Sequence, residues 1–450
     1  MRMRRILTAT VAAGLAAAAL TGCSSGDGKT DGDVIGGADA PENATKLNMW
    51  VFAELHAAVY DDMAVKWNEA NPDKPIDLDV TVYPYQDMHD KLLLAVNAGQ
   101  GLPDLADIEV GKFSNFVKGD KPPLADLTEA AQPYVDDIVQ ARLDLYSRNG
   151  KIYGYPTHVG AFVAFYNTEL MDAAGVDYKT IKTWDDFENA GVTYNKATGK
   201  AFSVASTGVF FTETLAIAQN GGQLFADDGL GDVAVNSPEV VKTMEMFQGM
   251  KEAGALSTIP GGSPDSEEAY GAINNGDYAA IVYPAWYTSR YVDYMPDLAG
   301  KIAIAPAPQV AGSDTLTIGG GGTGTAVLAG GKQQDLASEF LAFAKLSPEA
   351  NKAVWEVLGF DPVNMSLWED DSITHNPENK FNKYFETNLF DVLNSVKGGI
   401  GHFTSFSNEN LPAVDNLFRT VALNEIYENG TPAKDALDKA QSDLENELGQ

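Results

Sequence analysis

The stretch "KLNMWVFAELHAAVYDDMAVKWNEANPDKPIDLDVTVYP", residues 46–84, decides the fold. It opens with a short apolar strand, KLNMWVF (46–52). Apolar residues then recur at helical spacing, at Ala57, Val59, Tyr60, Met63, Ala64 and Trp67, until Asn71-Pro72 stops the helix. IDLDVTVYP (76–84) alternates apolar and polar side chains, as a half-buried strand does. Working outward, YQDMHDKLLLAVNAGQG (85–101) is a second amphipathic helix closed by glycine, and LPDLADIEV (102–110) a third strand. Alternation of this kind implies an α/β chain with a mainly parallel sheet and helices on both faces. Ligands of such sheets gather in the loops at the carboxyl ends of the strands.

The pattern restarts after NGKIYGYPTHVGAFVAFYNTELMDAAGV (149–176). A mainly helical region leads to the strand YAAIVYP (278–284). TLTIGGGGTGTAVLAGG (315–331) returns to strands before the helices KQQDLASEFLAFAKL and PEANKAVWEVL. Two sheet-bearing blocks with the chain crossing between them predict two lobes and a cleft. The run IGGGGTG formally contains GxGxxG at Gly319, Gly321 and Gly324, but TAVLAGG reads as a strand where a dinucleotide motif must open a helix. Backbone lying close to a cleft or a second crossover, where side chains would obstruct closure, is the better reading.

The chain begins MRMRRILTATVAAGLAAAALTGC, with Arg2, Arg4 and Arg5 before an apolar stretch from Ile6 to Leu20. This is the layout of a secretory signal, too short for a comfortable membrane span. Its end, Leu20-Thr21-Gly22-Cys23, resembles the bacterial lipobox, in which the cysteine sulfur receives a diacylglycerol. Residues 1–22 are therefore expected to be removed. Residues 23–45, rich in Gly, Asp, Ser and Ala, are expected to form a lipidated flexible tether. Cys23 is the only cysteine of 450 residues, which rules out an internal disulfide and cysteine-built zinc sites. The five histidines, His56, His89, His158, His375 and His402, show no HxxxH or HxH spacing, and neither metal nor cofactor is expected. Acidic residues number 63 against 31 basic, which argues against nucleic acid and against a helix lying on anionic lipid. The expected contact with a membrane is through the N-terminal lipid only.

Further along, Trp50, YQDMHDKLLLAVNAGQGLPDL, GKIYGYP, AFYNTELMDAAGV, TWDDF and YAAIVYPAW occur in an order and spacing that resemble the extracellular solute-binding proteins of bacterial ABC importers. The resemblance is to the branch that binds maltodextrin and other oligosaccharides. It implies a two-lobed, type II binding-protein fold with hinge crossovers. The N-terminal lobe would comprise 46–157 with 315–365, and the C-terminal lobe 158–314 with 366–450. GKIYGYPTHVGAF resembles the first crossover, with Gly154 and Pro156 shaping the hinge. Gly160 stands where relatives often carry a polar side chain. In TWDDF, Thr183 is read as a helix N-cap.

Sugars are neutral, hydroxyl-rich rings with apolar faces, so a receptor needs flat aromatics and hydrogen-bonding side chains. The first ligand loop of the family corresponds to Phe52, Glu54 and His56; Glu54 reads equally as a helix-start charge. After the second strand, Tyr85 is favoured over Tyr83 for the cleft. After the third come Glu109 and Lys112. His158 follows the first crossover, and Gly320 lies in the glycine run. In TGVFFTET, one of Phe210 and Phe211 should be buried and the other presented. In YPAWYTSR, the resemblance implies that Trp286 stacks on a sugar ring. His402 and Phe403 of GHFTSF are candidate extra subsites, as are Phe406, Trp355 and Trp368.

The resemblance thus implies an exported lipoprotein at the outer face of the cytoplasmic membrane. It would capture a di- or higher saccharide and deliver it, as a monomer, to the permease subunits of an importer. An exported glycoside hydrolase would need two carboxyl groups at fixed separation, and no acid-pair motif or GxSxG is present. A surface sugar sensor or adhesin differs only in partner.

Overall fold

A computed structural model describes residues 33–35, 40–119 and 121–450. The expected signal peptide and the lipid-bearing Cys23 lie outside the described residues. In chain order, the strands of the two main sheets are β1 (Asp33–Ile35), β2 (Thr45–Val51), β3 (Ile76–Val82), β4 (Leu105–Glu109), β5 (Tyr155–Pro156), β6 (Phe162–Asn167), β7 (Ala280–Pro284), β8 (Ile302–Pro306) and β9 (Thr323–Val327). One sheet has the six-stranded order β1-β3-β2-β4-β9-β5, the other the three-stranded order β7-β6-β8. The helices that matter for the site are α1 (Glu54–Ala70), α2 (Tyr85–Ala98), α3 (Trp184–Thr198), α4 (Thr212–Gln219), α5 (Gln334–Leu346) and α6 (Leu411–Leu417).

The α/β class is as expected, but the sheets are mixed rather than mainly parallel. Among the described residues of these two sheets, only β2 pairs in parallel, with β3 and β4. These strands are joined by single helices, which force the return. β9 reaches the first sheet after the chain has come back from the second, and it runs against β4 and β5. β6 is antiparallel to both neighbours, β7 and β8, although a long helical excursion separates it from β7. Within the expected tether, β1 pairs with the edge of β3, Asp33 opposite Val82, so that part of 23–45 joins the sheet.

Side-chain parity explains why the central strands are apolar on both faces. On β2, Leu47, Met49 and Val51 pack in one core with Ala57, Tyr60, Met63 and Trp67 of α1. Trp50 points the other way, into a core with Met88 and Leu92 of α2. Each such fully buried side chain stabilises the fold by about 1.5–3 kcal/mol. The capping residue of α3 is Thr183, whose hydroxyl accepts from the Asp186 amide at 3.1 Å while the Asp186 carboxylate accepts from the Thr183 amide at 2.9 Å.

Three stretches connect the two sheets, and they are bonded to one another. The Val159 amide donates to the Asp361 carbonyl at 3.0 Å, and the Gly320 amide to the Gly160 carbonyl at 2.9 Å. The Asp361 carboxyl, fully buried, accepts from the amides of Gly160 at 3.0 Å and Ala161 at 2.8 Å. Burial pushes that carboxyl up to about 7 against the pull of the two amides. Gly160 has φ 68, and a Cβ there would meet the Gly320 carbonyl oxygen at 2.6 Å, so no polar side chain fits at this position. Gly154 serves packing rather than backbone freedom, since a Cβ there would lie 2.8 Å from the Phe113 ring.

Candidate functional site

A cavity of about 550 Å³ lies between the lobes, lined by loops from both sheets. On the first wall, the end of β2 delivers Phe52, and the first turn of α1 delivers His56. The Tyr83-Pro84-Tyr85 turn sends Tyr83 into the core, 3% exposed, and leaves Tyr85 facing the cleft at 40%. Phe52 makes edge-to-face contacts with Tyr85 at 5.4 Å and with His56 at 5.2 Å between ring centroids, so the wall is one aromatic cluster. Glu109, the last residue of β4, and Lys112, just past it, complete the wall.

The polar groups of this wall are held from behind. The His56 Nδ1 lies 3.0 Å from the Asp107 carboxylate, which also accepts from the hydroxyls of Tyr60 and Thr325 at 2.7 Å each. Burial alone would raise the Asp107 carboxyl, but its bond to His56 and the nearby charge of Lys345 hold it below the usual range. Lys345, buried against Tyr60 and Thr157, is brought down to about 8 by desolvation. Burial lowers His89 to about 4, so its ring is neutral at pH 7. The Glu109 amide donates to its Nε2 at 3.0 Å, so the proton sits on Nδ1 and is donated to the Tyr85 carbonyl at 2.7 Å. Glu109 itself accepts from the Gly111 amide at 2.8 Å and the Tyr85 hydroxyl at 3.3 Å. Burial pushes this carboxyl up to about 7; the Gly111 amide opposes the rise and the Asp415 carboxylate adds to it.

The second wall holds Phe210 and Phe211, which both line the cavity. Phe210 is anchored, 6% exposed and 4.3 Å from the Phe418 centroid, while Phe211 is half-buried at the start of α4. Trp286 also lines the cavity but is only 7% exposed. Its indole N–H donates to the Gly320 carbonyl at 3.0 Å, and the Arg290 guanidinium lies 5.3 Å from its ring centroid. Most of the ring is therefore wall, not open platform. Arg290 is paired with Asp265 at 2.8 Å, and Arg419 with Asp415 at 3.0 Å. Both acids and both arginines border the cleft, so its strongest charges come in opposed pairs.

His158, Gly321, Gly322 and Phe360 border the cavity where the lobes join. The His158 ring is 5% exposed and packs edge-on against Phe360 at 4.8 Å. Both its nitrogens are occluded and without a hydrogen-bond partner. Burial, then the Arg142 guanidinium, holds the imidazole well below its usual pKa, hence neutral.

Four expected site residues lie elsewhere. Glu54 is exposed as the first residue of α1 and is a helix-start charge. His402, just past the two-residue strand Ile400–Gly401, is exposed and lies 3.5 Å from Asp144. Phe403 is 3% exposed and packs on Phe406, which takes its place in the lining. Gly320 sits just outside the lining, covered by Phe162, Pro284 and Trp286; its neighbours Gly321 and Gly322 face the cavity. Trp355 and Trp368, each 1% exposed, are core. Sequence reasoning missed Asp107, His89, Arg142, Asp265 and the Asp415–Arg419 pair. A charged residue inside an apolar strand, as Asp107 is in LADIE, was the available signal. Among the described residues no cluster of three or more His, Cys, Asp or Glu is placed to hold a metal, and no helix is long and apolar enough to cross a membrane.

Two lobes joined by three bonded crossovers around an aromatic, hydrogen-bonding cleft define a binding protein of the hinged type. The profile of the bacterial extracellular solute-binding protein family matches residues 51–352, and the chain belongs to that family. It is 41% identical over 419 residues to an arabinooligosaccharide-binding protein of Bacillus subtilis (strain 168), covering 91% of this chain and 95% of the relative. A protein of the same description from Halalkalibacterium halodurans is 38% identical, covering 93% and 92%. Among solved structures, an ABC transporter associated binding protein of B. animalis subsp. lactis in complex with beta-1,6-galactobiose superposes with TM-score 0.72 at 21% identity, covering 90% of this chain and 97% of that one. The sugar-binding protein MalE of Xanthomonas citri gives TM-score 0.74 at 18% identity, covering 90% and 98%.

Proposed function

We propose that the cleft captures an uncharged oligosaccharide, an arabino-oligosaccharide first among them, and that the chain hands it to the permease subunits of an ABC importer. The observation that carries the ligand class is the composition of the walls. Phe52, Tyr85 and Phe211 offer ring surface, His56 and Glu109 offer hydrogen bonds, and the nearby ionic groups Asp265–Arg290 and Asp415–Arg419 are paired. A charged ligand would meet no matching free charge cluster, while a polyhydroxyl ring finds both stacking and hydrogen-bonding partners. The near-full-length likeness to two arabinooligosaccharide-binding proteins supports the choice of sugar.

The lobes, 46–157 with 315–365 and 158–314 with 366–450, hinge about the three crossovers to enclose the sugar. The chain acts as a receptor and not as an enzyme: of the cleft carboxyls, Asp265 and Asp415 are committed to arginines, and Glu109 alone is left. Export, acylation of Cys23 and a polar tether would hold the monomeric receptor at the outer face of the membrane. Calorimetric titration with arabinotriose against maltotriose tests the ligand. Saturable binding of arabinotriose without release of reducing ends is expected; turnover, or binding of maltotriose alone, refutes the reading. Cys23→Ser should move the protein from the membrane to the soluble fraction.

A further inference from the structure

The glycine run between β8 and β9 has three consecutive carbonyls, each held by a different fixed donor. The Gly320 carbonyl accepts from the Trp286 indole at 3.0 Å. The Gly321 carbonyl accepts from the Arg142 guanidinium at 2.5 Å, and the Gly322 carbonyl from the Val110 amide at 2.9 Å. Arg142 is 1% exposed and lies behind the run, outside the cavity lining. Its Nε and Nη1 have no partner, so among the described residues the Gly321 carbonyl is its only protein acceptor. The guanidinium fills the space behind the backbone so closely that a Cβ on Gly319 or Gly322 would meet it at 2.4 or 2.5 Å. Gly321 and Gly322 have φ of 65° and 111°, which side chains rarely adopt.

In a trans peptide the N–H points opposite to the C=O. With the Gly321 carbonyl drawn back toward Arg142, the Gly322 N–H is turned to the other side, where Gly321 and Gly322 border the cavity. Among the described residues no protein acceptor takes that N–H, and Gly322 is only partly buried. We propose that the Gly322 amide is a ligand-anchoring donor in the cleft, with Arg142 the positioning residue that turns its peptide. The acceptor it reads is a hydroxyl or ring oxygen of a neutral sugar, which rests on the ligand class proposed above. A backbone donor with no side chain around it lets a sugar ring approach closely. Its direction is set by the buried cation rather than by a mobile rotamer.

The test follows the Gly322 amide in the full chain labelled uniformly with 15N and 13C, its resonance assigned through its sequential links to Gly321 and Thr323. On saturation with arabinotriose, the Gly322 resonance should shift and its hydrogen exchange should slow by about tenfold or more, as one new hydrogen bond predicts. Arg142→Lys, with an unchanged circular dichroism spectrum, should lose that protection and bind arabinotriose roughly 5–50-fold more weakly. Should the variant fail to fold, the amide readout in the unsubstituted chain decides. Binding of arabinotriose with no change at Gly322 overturns the anchoring donor alone. Wild-type affinity and protection in Arg142→Lys overturn the positioning role. Failure of the unsubstituted chain to bind arabinotriose overturns the proposed sugar and this proposal together.

Discussion

Replacing Trp286 separates a wall from a platform. In Trp286→Phe, the Gly320 carbonyl loses a donor at 3.0 Å in a buried setting, which costs about 1–3 kcal/mol of stability. The Arg290 guanidinium, 5.3 Å from the ring centroid, loses part of a cation–π contact of roughly 0.5–1 kcal/mol. The expected destabilisation is therefore about 1–4 kcal/mol, visible as a drop of several degrees in thermal unfolding. With only 7% of the residue exposed, the ring area that a sugar can cover is small. Affinity for arabinotriose should then fall by no more than about threefold, below 1 kcal/mol. Trp286→Ala should unfold still more easily, by about 3–5 kcal/mol relative to the unsubstituted chain. Calorimetric unfolding and titration on the same preparations give both quantities. A Phe variant with unchanged melting but tenfold weaker binding would show that the indole is the sugar's stacking surface and that the exposure argument is wrong.

Tyr85, at 40% exposure in the same cleft, predicts the reverse: Tyr85→Ala should weaken arabinotriose binding by about 1–3 kcal/mol with little loss of melting temperature, and equal affinity would remove it from the site. Glu213 is buried, bonded to Tyr427 through one oxygen at 2.7 Å, and burial pushes its carboxyl up from 4.5 to about 7. Because the folded value lies above the unfolded one, its contribution is full below pH 4.5 and is lost as pH rises through 7. Glu213→Gln should flatten the decline of melting temperature across that window, and an unaltered slope would refute the assignment. Thr183→Ala removes the hydroxyl of the capping box and should cost about 0.5–2 kcal/mol of stability while leaving sugar affinity unchanged.

The first lobe was legible because each of its early strands and helices carries its own signal: the 3.6-residue stripe of α1, the alternation of β3 and the glycine closing α2. The sequence marks Phe52, His56, Tyr85 and Glu109 as candidates in successive strand-end loops, and the fold brings them to one wall. Pairing direction was not legible, since antiparallel β9 and parallel β4 both read as short buried strands and only the path between lobes distinguishes them. Glu54 and His56 show the limit at the level of single residues. They are two positions apart on one helix turn, so one faces the solvent and the other the cleft, and nothing but the helix phase relative to the sheet decides which. Trp286 shows a different limit: it does line the cavity, but a ring beside a cleft and a ring within its wall have the same sequence neighbours. Arg142 could not be found at all, because its partner is a backbone carbonyl far along the chain.

The distribution of charge bears on how such a cleft can respond to a neutral molecule. Asp265 and Arg290 belong to the same wall, as do Asp415 and Arg419, one helical turn apart. Each pair is satisfied without help from the opposite lobe. Bringing the walls together therefore gains little from these pairs, and an empty cleft has little electrostatic reason to shut. A conformational equilibrium moves only as far as a ligand's differential affinity for its two states allows. An uncharged sugar touching Phe52 and Tyr85 on one side and Phe211 on the other would supply contacts that exist only when the lobes approach. Closure would then report occupancy rather than salt or the net acidic charge of the chain. The bonded crossovers fit the same behaviour, since Asp361 and the amides of Gly160 and Ala161 fix where the chain passes between the sheets, the line about which the proposed closure would turn.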